Sequence, residues 1–388
     1  MANDGSYEIE LSGMAHGGSA VGRHEGRAVF VPYAIPGERV SVRTTHDRGR
    51  FAQAALETVI EPSASRVIPR CPHFGRCGGC HWQHIAYPAQ LEFKRQVVAD
   101  QLARIGGLHD VIVHPTIGSP DPWRYRSHVT FHVTNDGRLG FVSTDDCTVI
   151  PIEECHIIRP ELVEIFQSLK SRAFDPGERV RLQVGTDGDE RLAAADDGTI
   201  TDADTVHYTI KELTFRVSTG SFFQVNLAQA ETLVDLVLER LALRGTEHVL
   251  DLYAGVGLFT AFVARRAASV AAVESYPPAV QDALANLAGL ENVEVVEGAV
   301  EEAMDELTGR CDAVVTNPPR PGMDVRALDA LIERSPHKIV YVSCDPATLA
   351  RDGKRLVGKG YHLLDVQPVD MFPQTYHIEA VAAFEKQS

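Results

Sequence analysis

From residue 227 onward, segments of helical periodicity alternate with short apolar runs of strand length, and only short loops separate them. The apolar runs are HVLDLY, SVAAVES, VEVVEG, CDAVVTN and KIVYVSC, and a predicted helix precedes each of them. Such alternation is typical of parallel strands joined by crossover helices, so this half of the chain is predicted to form a doubly wound parallel sheet. After a last helix, YHLLDVQPVDMF and HIEAVAAFE predict an antiparallel hairpin at one edge of that sheet.

The first 62 residues follow a different pattern, in which short strands are punctuated by glycine and proline. The strand-like runs are YEIELSGM, SAVGRHEGRAVFVPY and ERVSVRTTHDRGRFAQAALETVIEP, and their spacing predicts a small antiparallel β-barrel. Several arginines lie on these strands or in their loops, either as solvated charges or as contacts to single-stranded RNA. They are Arg23, Arg27, Arg43, Arg48 and Arg50.

Between these two parts lies a cysteine-rich loop, followed by an amphipathic helix predicted near residues 88–105. Residues 122–217 alternate in polarity and turn often, which predicts an antiparallel sheet. The sequence therefore predicts a multidomain α/β protein: the barrel at 1–62, a central mixed α+β domain at 63–220, and the doubly wound domain at 221–388.

Charge is distributed unevenly along the chain, whose formal net charge is −16. Residues 1–130 carry 14 Lys and Arg against 12 Asp and Glu, whereas the remaining residues carry 23 against 41. An RNA-facing surface is therefore expected in the first third. No run of eighteen apolar residues and no secretory signal pattern is visible, so we expect a cytoplasmic protein without a membrane span. In that compartment the seven cysteines are expected to be thiols or metal ligands and not to form disulfides. We also expect the protein to be a monomer.

The stretch DLYAGVGLF, residues 251–259, ends a predicted strand and opens a helix with two glycines. Glycine lets the backbone approach a ligand closely, and Glu274, at the end of the next strand, can accept hydrogen bonds from a ribose diol. The third glycine of the dinucleotide pattern is missing. The motif, with Asp251 and Gly255, resembles the S-adenosylmethionine site of class I methyltransferases; a nicotinamide enzyme is the alternative for this segment alone.

The loop NPPRPGMD, residues 317–324, follows another strand of the same predicted sheet. Prolines make it rigid, and it lies at the carboxyl edge of the strands, where doubly wound folds bind ligands. Taken alone, Asn317 and its two prolines resemble methyltransferases that act on amino groups of adenine or glutamine. In those enzymes an aromatic residue typically follows the prolines, and here Arg320 does.

One isolated cysteine and one group of cysteines lie in sequence patterns that indicate a nucleophile and a metal site. Cys344, in YVSCDPATLARD, leaves a predicted strand just before a helix, whose dipole favours a thiolate; Asp345 opposes it. The stretch CPHFGRCGGCHWQH has metal-ligand spacing at Cys71, Cys77 and Cys80 and needs a distant fourth ligand. An iron–sulfur cluster held by four thiolates fits this pattern. Cys155 is the first candidate for the fourth ligand, and the rivals are Cys147, His73, His81 and His84.

In order, the chain contains the barrel, the CGGCxxQH loop, SFFQVN, DLYAGVGLF, the Pro-Pro-Arg loop, SCDPATLARD and a terminal FPxTxHxE. Over essentially all 388 residues it resembles the RNA uracil-5-methyltransferases that act on ribosomal and transfer RNA, whose barrel is a TRAM domain. The resemblance implies a catalytic nucleophile at Cys344 and a general base at Glu379. It also implies a 4Fe–4S cluster on Cys71, Cys77, Cys80 and Cys155.

By the same resemblance, S-adenosylmethionine contacts Gln224, Tyr253, Glu274 and Asn317, beside Asp251 and Gly255 of the glycine loop. Asn317 stands where the family more often has Asp, and Ala254 where many members have Cys. Because carbon 5 of uracil cannot attack a methyl sulfonium unaided, a thiolate must first add to carbon 6. A base must then remove the carbon 5 proton.

The leading interpretation is a ribosomal RNA uracil-5-methyltransferase, and 23S ribosomal RNA is its expected substrate by analogy with enzymes that combine a barrel and a cluster loop. Transfer RNA is the nearest alternative substrate. An amino-group methyltransferase would not need Cys344, and cytosine-5 methylation would normally show a Pro-Cys pair or a second catalytic cysteine. A non-catalytic RNA-binding iron–sulfur protein is an alternative of another class.

Overall fold

A computed structural model of the chain describes residues 6–196, 198–201 and 203–387. The outermost residues of the first and last predicted domains, 1–5 and 388, lie outside that part. The predicted barrel is confirmed: five strands close in the order β1-β2-β3-β5-β4, with only β3 and β5 parallel. Alternate side chains such as Ile9 and Val40 fill its interior. The strands are β1 (Ser6–Met14), β2 (Ala20–His24), β3 (Arg27–Val31), β4 (Arg39–Asp47) and β5 (Phe51–Glu61).

The middle of the chain begins with helix α1 (Tyr87–Gln101), continued by a π-helical turn at Leu102–Gly106, and strand β6 (Ile112–Val113). A six-stranded antiparallel sheet follows in the order β12-β11-β10-β7-β8-β9. Its strands are β7 (His128–Val133), β8 (Leu139–Val142), β9 (Val149–Pro151), β10 (Arg179–Val184), β11 (Arg191–Ala195) and β12 (Gly198–Thr199). A separate hairpin joins β13 (Thr205–Ile210) to β14 (Leu213–Ser218).

Helix α2 (Pro160–Leu169), which packs on the six-stranded sheet, was not predicted from the sequence. Phe166 of this helix stacks on Phe131 of β7, with ring centroids 5.0 Å apart. Two signals for the helix were present: Pro160 at its first turn, and apolar residues at helical spacing on one face.

The predicted doubly wound sheet is confirmed and has eight strands in the order β17-β16-β15-β18-β19-β21-β20-β6. Strands β15 to β19 are parallel, and β21 runs antiparallel between β19 and β20. These strands are β15 (His248–Leu252), β16 (Ser269–Glu274), β17 (Val293–Glu297), β18 (Ala313–Thr316), β19 (Lys338–Ser343), β20 (Tyr361–Val369) and β21 (Glu379–Lys386). The helices are α3 (Leu227–Leu241), α4 (Leu258–Val263), α5 (Pro277–Asn286), α6 (Val300–Glu306), α7 (Val325–Arg334) and α8 (Pro346–Val357).

The terminal hairpin is present as predicted, but it is not the edge of the sheet. Strand β6, more than 240 residues earlier in the chain, adds in parallel to the outer side of β20. Helix α1 packs against β20 and α8, while the hairpin β13–β14 packs against α3 and α5. Elements from the predicted central domain therefore lie against the C-terminal sheet, and the boundary between 220 and 221 stays a prediction.

The order of strands reverses between β15 and β18, and the carboxyl ends of the parallel strands lie at one edge of the sheet. In open α/β sheets, ligands bind in the crevice at such a reversal. This edge is therefore the first place to look for a site. None of the helices in the described ranges is long and apolar enough to cross a membrane.

Candidate active site

The glycine loop leaves β15 in an unusual backbone conformation. Tyr253 and Gly255 have φ angles of 62° and 58°, in the left-handed region that only glycine adopts readily. Asp251, fully buried within β15, accepts a hydrogen bond from Thr260 Oγ1 at 2.5 Å. Burial raises the pKa of Asp251 to about 7. Its Oδ1 has no hydrogen-bond partner within the described part of the chain.

Glu274 holds this loop through backbone hydrogen bonds. Its Oε2 accepts from the Gly255 N–H, and its Oε1 from the Ser275 and Tyr276 N–H groups, each at 2.8 Å. Since a carboxylate oxygen can accept two hydrogen bonds, Oε2 retains one acceptor site. The carboxylate can therefore hold the loop and still accept from a ligand hydroxyl.

Gln224 lies in the segment between β14 and α3 and is 4% exposed. Asp282 of α5, which sequence analysis missed, fixes this segment from a fully buried position. Its carboxylate accepts from the N–H and Oγ of Ser218, from Ser221 Oγ and from Arg216 Nη1, at 2.7–2.8 Å. A single Asp in PPAVQDALAN gives no sequence signal for this role.

Asn317 follows β18, next to the glycine loop. Its N–H donates to the Leu252 carbonyl at 3.2 Å, and Leu252 is paired with Thr316 in the sheet. Phe223, beside Gln224, packs in the same apolar core as Val256 of the glycine loop. The structure thus places the predicted cofactor residues Gln224, Asp251, Tyr253, Gly255, Glu274 and Asn317 on adjoining elements at one edge of the sheet.

Cys344 and Glu379 lie on neighbouring strands at the same edge. Ser343 of β19 pairs with Ala380 of β21, Cys344 directly follows Ser343, and Glu379 directly precedes Ala380. The antiparallel ladder therefore brings the two predicted catalytic residues together although they are far apart in sequence.

The charges around this pair decide its chemistry. Burial raises the pKa of the Glu379 carboxyl, and the positive charge of Arg320 partly opposes this effect; the resulting pKa is about 8. Burial raises the pKa of the Cys344 thiol to about 11; the Glu379 charge raises it further, and Arg320 lowers it. Arg320 was not among the predicted site residues, although its place after two prolines was an available signal. The guanidinium is the cation that favours ionisation of both groups.

The four predicted cluster ligands Cys71, Cys77, Cys80 and Cys155 line one cavity of about 300 Å³. Cys147 is exposed and lines a different cavity. Among the rival ligands, His73 lines the first cavity, and its Nε2 accepts from the Glu153 N–H at 3.2 Å. Among the described residues, no group of three or more His, Cys, Asp or Glu side chains is arranged to hold a metal ion.

His81 and His84 point to other partners. The His81 ring packs against Tyr376 with centroids 4.4 Å apart, and His84 lies between Tyr33 and Phe74. Burial lowers the pKa of each histidine to about 4. The cysteine loop, residues 71–84, thus contacts the segment that precedes Glu379 through the His81–Tyr376 ring pair.

Comparisons with known proteins agree along the chain. Residues 189–387 match the model of the tRNA (uracil-5-)-methyltransferase family. An uncharacterized RNA methyltransferase of Caldanaerobacter subterraneus is 34% identical, over 98% of this chain and 98% of its own. Another, from Halalkalibacterium halodurans, is 34% identical over 97% of this chain and 96% of its own.

A solved structure matches nearly the whole fold. It is the crystal structure of Pyrococcus abyssi tRNA (uracil-54, C5)-methyltransferase in complex with S-adenosyl-L-homocysteine, which is 25% identical, with a TM-score of 0.76. The match covers 97% of this chain and 100% of that chain. It therefore includes the barrel as well as the sheet.

Proposed function

The chain belongs to the family of RNA uracil-5-methyltransferases, and from this premise we propose that it methylates carbon 5 of one specific uridine through a covalent intermediate. The observation that carries the proposal is the position of Cys344 beside Glu379, at the carboxyl edge of the sheet. Uracil C5 methylation needs a nucleophile and a base that act on adjacent ring carbons. These two residues supply both.

In the first step, the Cys344 thiolate adds to carbon 6 of the target uracil, and the electron pair of the C5=C6 bond moves into an enolate that includes carbon 5. Arg320 favours this step because its charge stabilises the thiolate. When bound, S-adenosylmethionine would supply an electrophilic methyl group: the enolate electron pair would form the bond from carbon 5 to the methyl group, while the methyl–sulfonium bond breaks and S-adenosylhomocysteine leaves. The target base must leave its stack to reach the thiol.

In the second step, Glu379 removes the proton from carbon 5. The electron pair re-forms the C5=C6 bond, the bond from carbon 6 to sulfur breaks, and Cys344 leaves as a thiolate. Burial raises the pKa of Glu379 to about 8, which makes its carboxylate a stronger base than an exposed glutamate. The two residues therefore act in sequence rather than together.

The glycine-loop edge is the proposed site for S-adenosylmethionine. Glu274 keeps an acceptor for the ribose hydroxyls, while Gln224, Tyr253 and Asn317 border the same edge. The unpartnered Oδ1 of Asp251 provides a further acceptor under the loop. A neutral amide at Asn317 can bind through hydrogen bonds without the charge of the aspartate that is commoner in the family.

We propose that Cys71, Cys77, Cys80 and Cys155 hold a 4Fe–4S cluster. Burial raises the pKa of each thiol, so the four ionise together only around a strongly positive centre. Four cysteine thiolates are the ligand set that holds a 4Fe–4S cluster. When bound, such a cluster supplies a rigid link between the cysteine loop and Cys155.

Two buried donors on the wall of the same cavity support an anionic occupant. Arg126 and His128 line it, and neither Arg126 Nε nor His128 Nδ1 has a hydrogen-bond partner in the described ranges. Four thiolates on an iron–sulfur core carry net negative charge, which a nearby guanidinium compensates. The residues present therefore fit the group.

Two RNAs are candidate substrates. Ribosomal RNA, and 23S ribosomal RNA first, follows from the family resemblance. Transfer RNA is supported by the solved Pyrococcus abyssi enzyme, whose match includes the barrel. The barrel therefore does not distinguish the two substrates, and direct trapping is needed.

The test is to incubate the purified protein and S-adenosylmethionine with 5-fluorouridine-containing ribosomal or transfer RNA. Fluorine cannot leave as a proton does, so the reaction stalls as a complex that survives denaturation. We expect an adduct with one RNA, absent in Cys344→Ala, and sequencing of the trapped RNA identifies the uridine. No adduct with either RNA would contradict the proposal and favour a non-catalytic RNA-binding protein.

A further inference from the structure

The segment that carries the catalytic base is held by helix α1. Residues 370–378, which we name the base-bearing loop, connect β20 to β21 and end immediately before Glu379. Glu379 is 2% exposed. Within the described part of the chain, its carboxylate makes no hydrogen bond or ion pair, so the backbone of this loop determines where the carboxyl points.

Lys94 of α1 is bonded to both ends of the base-bearing loop. Its Nζ donates to Asp370 Oδ1 at 2.6 Å, to the Phe372 carbonyl at 3.1 Å and to the His377 carbonyl at 2.8 Å. These three bonds use all three ammonium hydrogens. The side chains of Lys94 and Asp370 are both fully buried. The His377 carbonyl, which accepts one of these bonds, is only two residues before Glu379 in the chain.

Other residues of α1 and the cysteine loop hold the same segment. Tyr87 donates from its hydroxyl to Asp370 Oδ2 at 2.8 Å. Gln90 exchanges hydrogen bonds with the side chain and backbone of Gln374 at 3.0 and 3.1 Å. The Gln374 carbonyl also accepts from the N–H groups of His81 and Trp82, each at 3.0 Å. The loop is therefore bonded along most of its length.

A buried ion pair does not by itself indicate function, because an apolar pair of similar size often gives equal or greater stability. Here the lysine makes two bonds that an apolar pair cannot replace, and both go to carbonyls of the base-bearing loop. We propose that Lys94 is a positioning residue that places the Glu379 carboxylate for removal of the carbon 5 proton. This inference rests on the proposed function of the Cys344–Glu379 site.

The chemistry gives this role a specific signature. Addition of Cys344 and transfer of the methyl group precede the step that needs Glu379. If Glu379 is misplaced, the carbon 5 proton stays, the bond from carbon 6 to sulfur does not break, and methylated RNA remains attached to the protein. A general loss of structure would instead reduce formation of the adduct.

The experiment uses Lys94→Met with ordinary uridine RNA and S-adenosylmethionine, and Lys354→Met, an exposed change on α8, as the matched control. We expect Lys94→Met to accumulate a denaturation-resistant, methylated complex at about tenfold the wild-type level, with kcat lowered about tenfold or more and the RNA KM unchanged. Lys354→Met should behave like wild type.

A double variant separates positioning from stability. Lys94→Met with Asp370→Leu replaces the ion pair by an apolar pair, which should recover part of the thermal stability, since Tyr87 loses its acceptor, but not the bonds to Phe372 and His377. Continued accumulation of the complex in this variant supports positioning. Product release at the wild-type rate would overturn the inference.

If neither Lys94 variant folds, Tyr87→Phe carries the test, because it keeps the ring and removes only the hydroxyl, which donates to Asp370 and accepts from the Ser119 N–H. We expect a smaller accumulation of the complex, and turnover without accumulation would overturn the inference. Failure of the proposed function is a different result. In that case wild-type protein forms no 5-fluorouridine adduct at all.

Discussion

His16, in the loop between β1 and β2 of the barrel, lies with its Nε2 3.3 Å from Oδ2 of Asp345. Asp345 follows Cys344 and caps helix α8 by accepting from the Ala347 and Thr348 N–H groups at 2.8 and 3.1 Å. The barrel therefore contacts the residue next to the proposed nucleophile. It forms part of the surroundings of the active site in addition to any role in binding RNA.

We expect Gly18→Val to disturb this contact. Gly18 has a φ of 86°, and a Cβ at this position would lie 2.7 Å from the Tyr376 ring. The Gly18 carbonyl accepts a hydrogen bond from Trp82 Nε1 at 3.1 Å. The side chain should push the barrel loop away and slow adduct formation about tenfold or more, as measured by 5-fluorouridine trapping. Gly26→Val is the matched control, with a φ of 80° but open space around it. Equal effects of the two changes would show that backbone strain alone is responsible.

Arg320→Met should make Cys344 less reactive. Because Arg320 lowers the pKa of the thiol, its removal raises that pKa and reduces the thiolate fraction at any pH below about 11. We expect alkylation of Cys344 by iodoacetamide to slow about three- to tenfold between pH 7 and 9, since one pKa unit changes the thiolate fraction tenfold. Mass spectrometry of the Cys344 peptide measures the rate, and Arg320→Lys should retain part of it. An unchanged rate would remove Arg320 from the activation of the thiol.

Glu379→Gln should stabilise the fold increasingly as the pH rises. The folded-state pKa of Glu379 is about 8, above the ordinary value of 4.5, so its protonated form favours folding and that contribution is lost as pH climbs through 8. Glutamine does not titrate. We expect the unfolding temperature of the variant to exceed that of wild type slightly at pH 5 and most at pH 9. At pH 9 the free energy of unfolding should be higher in the variant by an amount on the order of 2–4 kcal/mol. A difference independent of pH would contradict this expectation.

Asp282→Asn should weaken binding of the methyl donor, although Asp282 is not itself a predicted contact of the donor. The change removes a charged acceptor from Ser218, Ser221 and Arg216, and so loosens the segment that carries Gln224. Since a hydrogen bond to a charged group contributes about 1.5–3 kcal/mol, affinity should fall about tenfold or more. Isothermal titration with S-adenosylhomocysteine measures the change. Asp235→Asn, which breaks only a surface pair with Lys211, should leave the affinity intact.

Cys155→Ser and Cys147→Ser should differ in iron content. Cys155 lines the cavity with the three loop cysteines, whereas Cys147 is exposed elsewhere. After anaerobic reconstitution, we expect Cys147→Ser to keep the visible absorption and bound iron of a 4Fe–4S protein and Cys155→Ser to lose most of both. The reverse result would assign the fourth ligand to Cys147.

Local pattern was enough to predict the barrel and the doubly wound sheet, because strand and helix periods are properties of neighbouring residues. The same is true of the glycine loop and the cysteine spacing. Residue roles at Cys344 and Glu379 came from family resemblance, since an isolated cysteine or glutamate has no distinctive period. The structure adds that the β19–β21 pairing brings these two residues together.

What could not be predicted depends on contacts between distant parts of the chain. Two residues of β6 give no strand signal, and only their pairing with β20 defines them. Asp282 and Lys94 read as ordinary polar residues of helices, because the groups they bind lie 61–66 and 276–283 positions away. Each is buried only because tertiary structure supplies its partners.

The ion pair between Lys94 and Asp370 also sets an order of events during synthesis. The two residues are 276 positions apart, so at translation rates of about 5–20 residues per second Asp370 emerges roughly 14–55 s after Lys94. The barrel can close early, while Lys94 must wait in water until the last strands leave the ribosome. The proposed general base thus reaches its place only after the contacts between α1 and the last strands have formed, and a chain released too early would carry the proposed cysteine nucleophile without the group that frees its product.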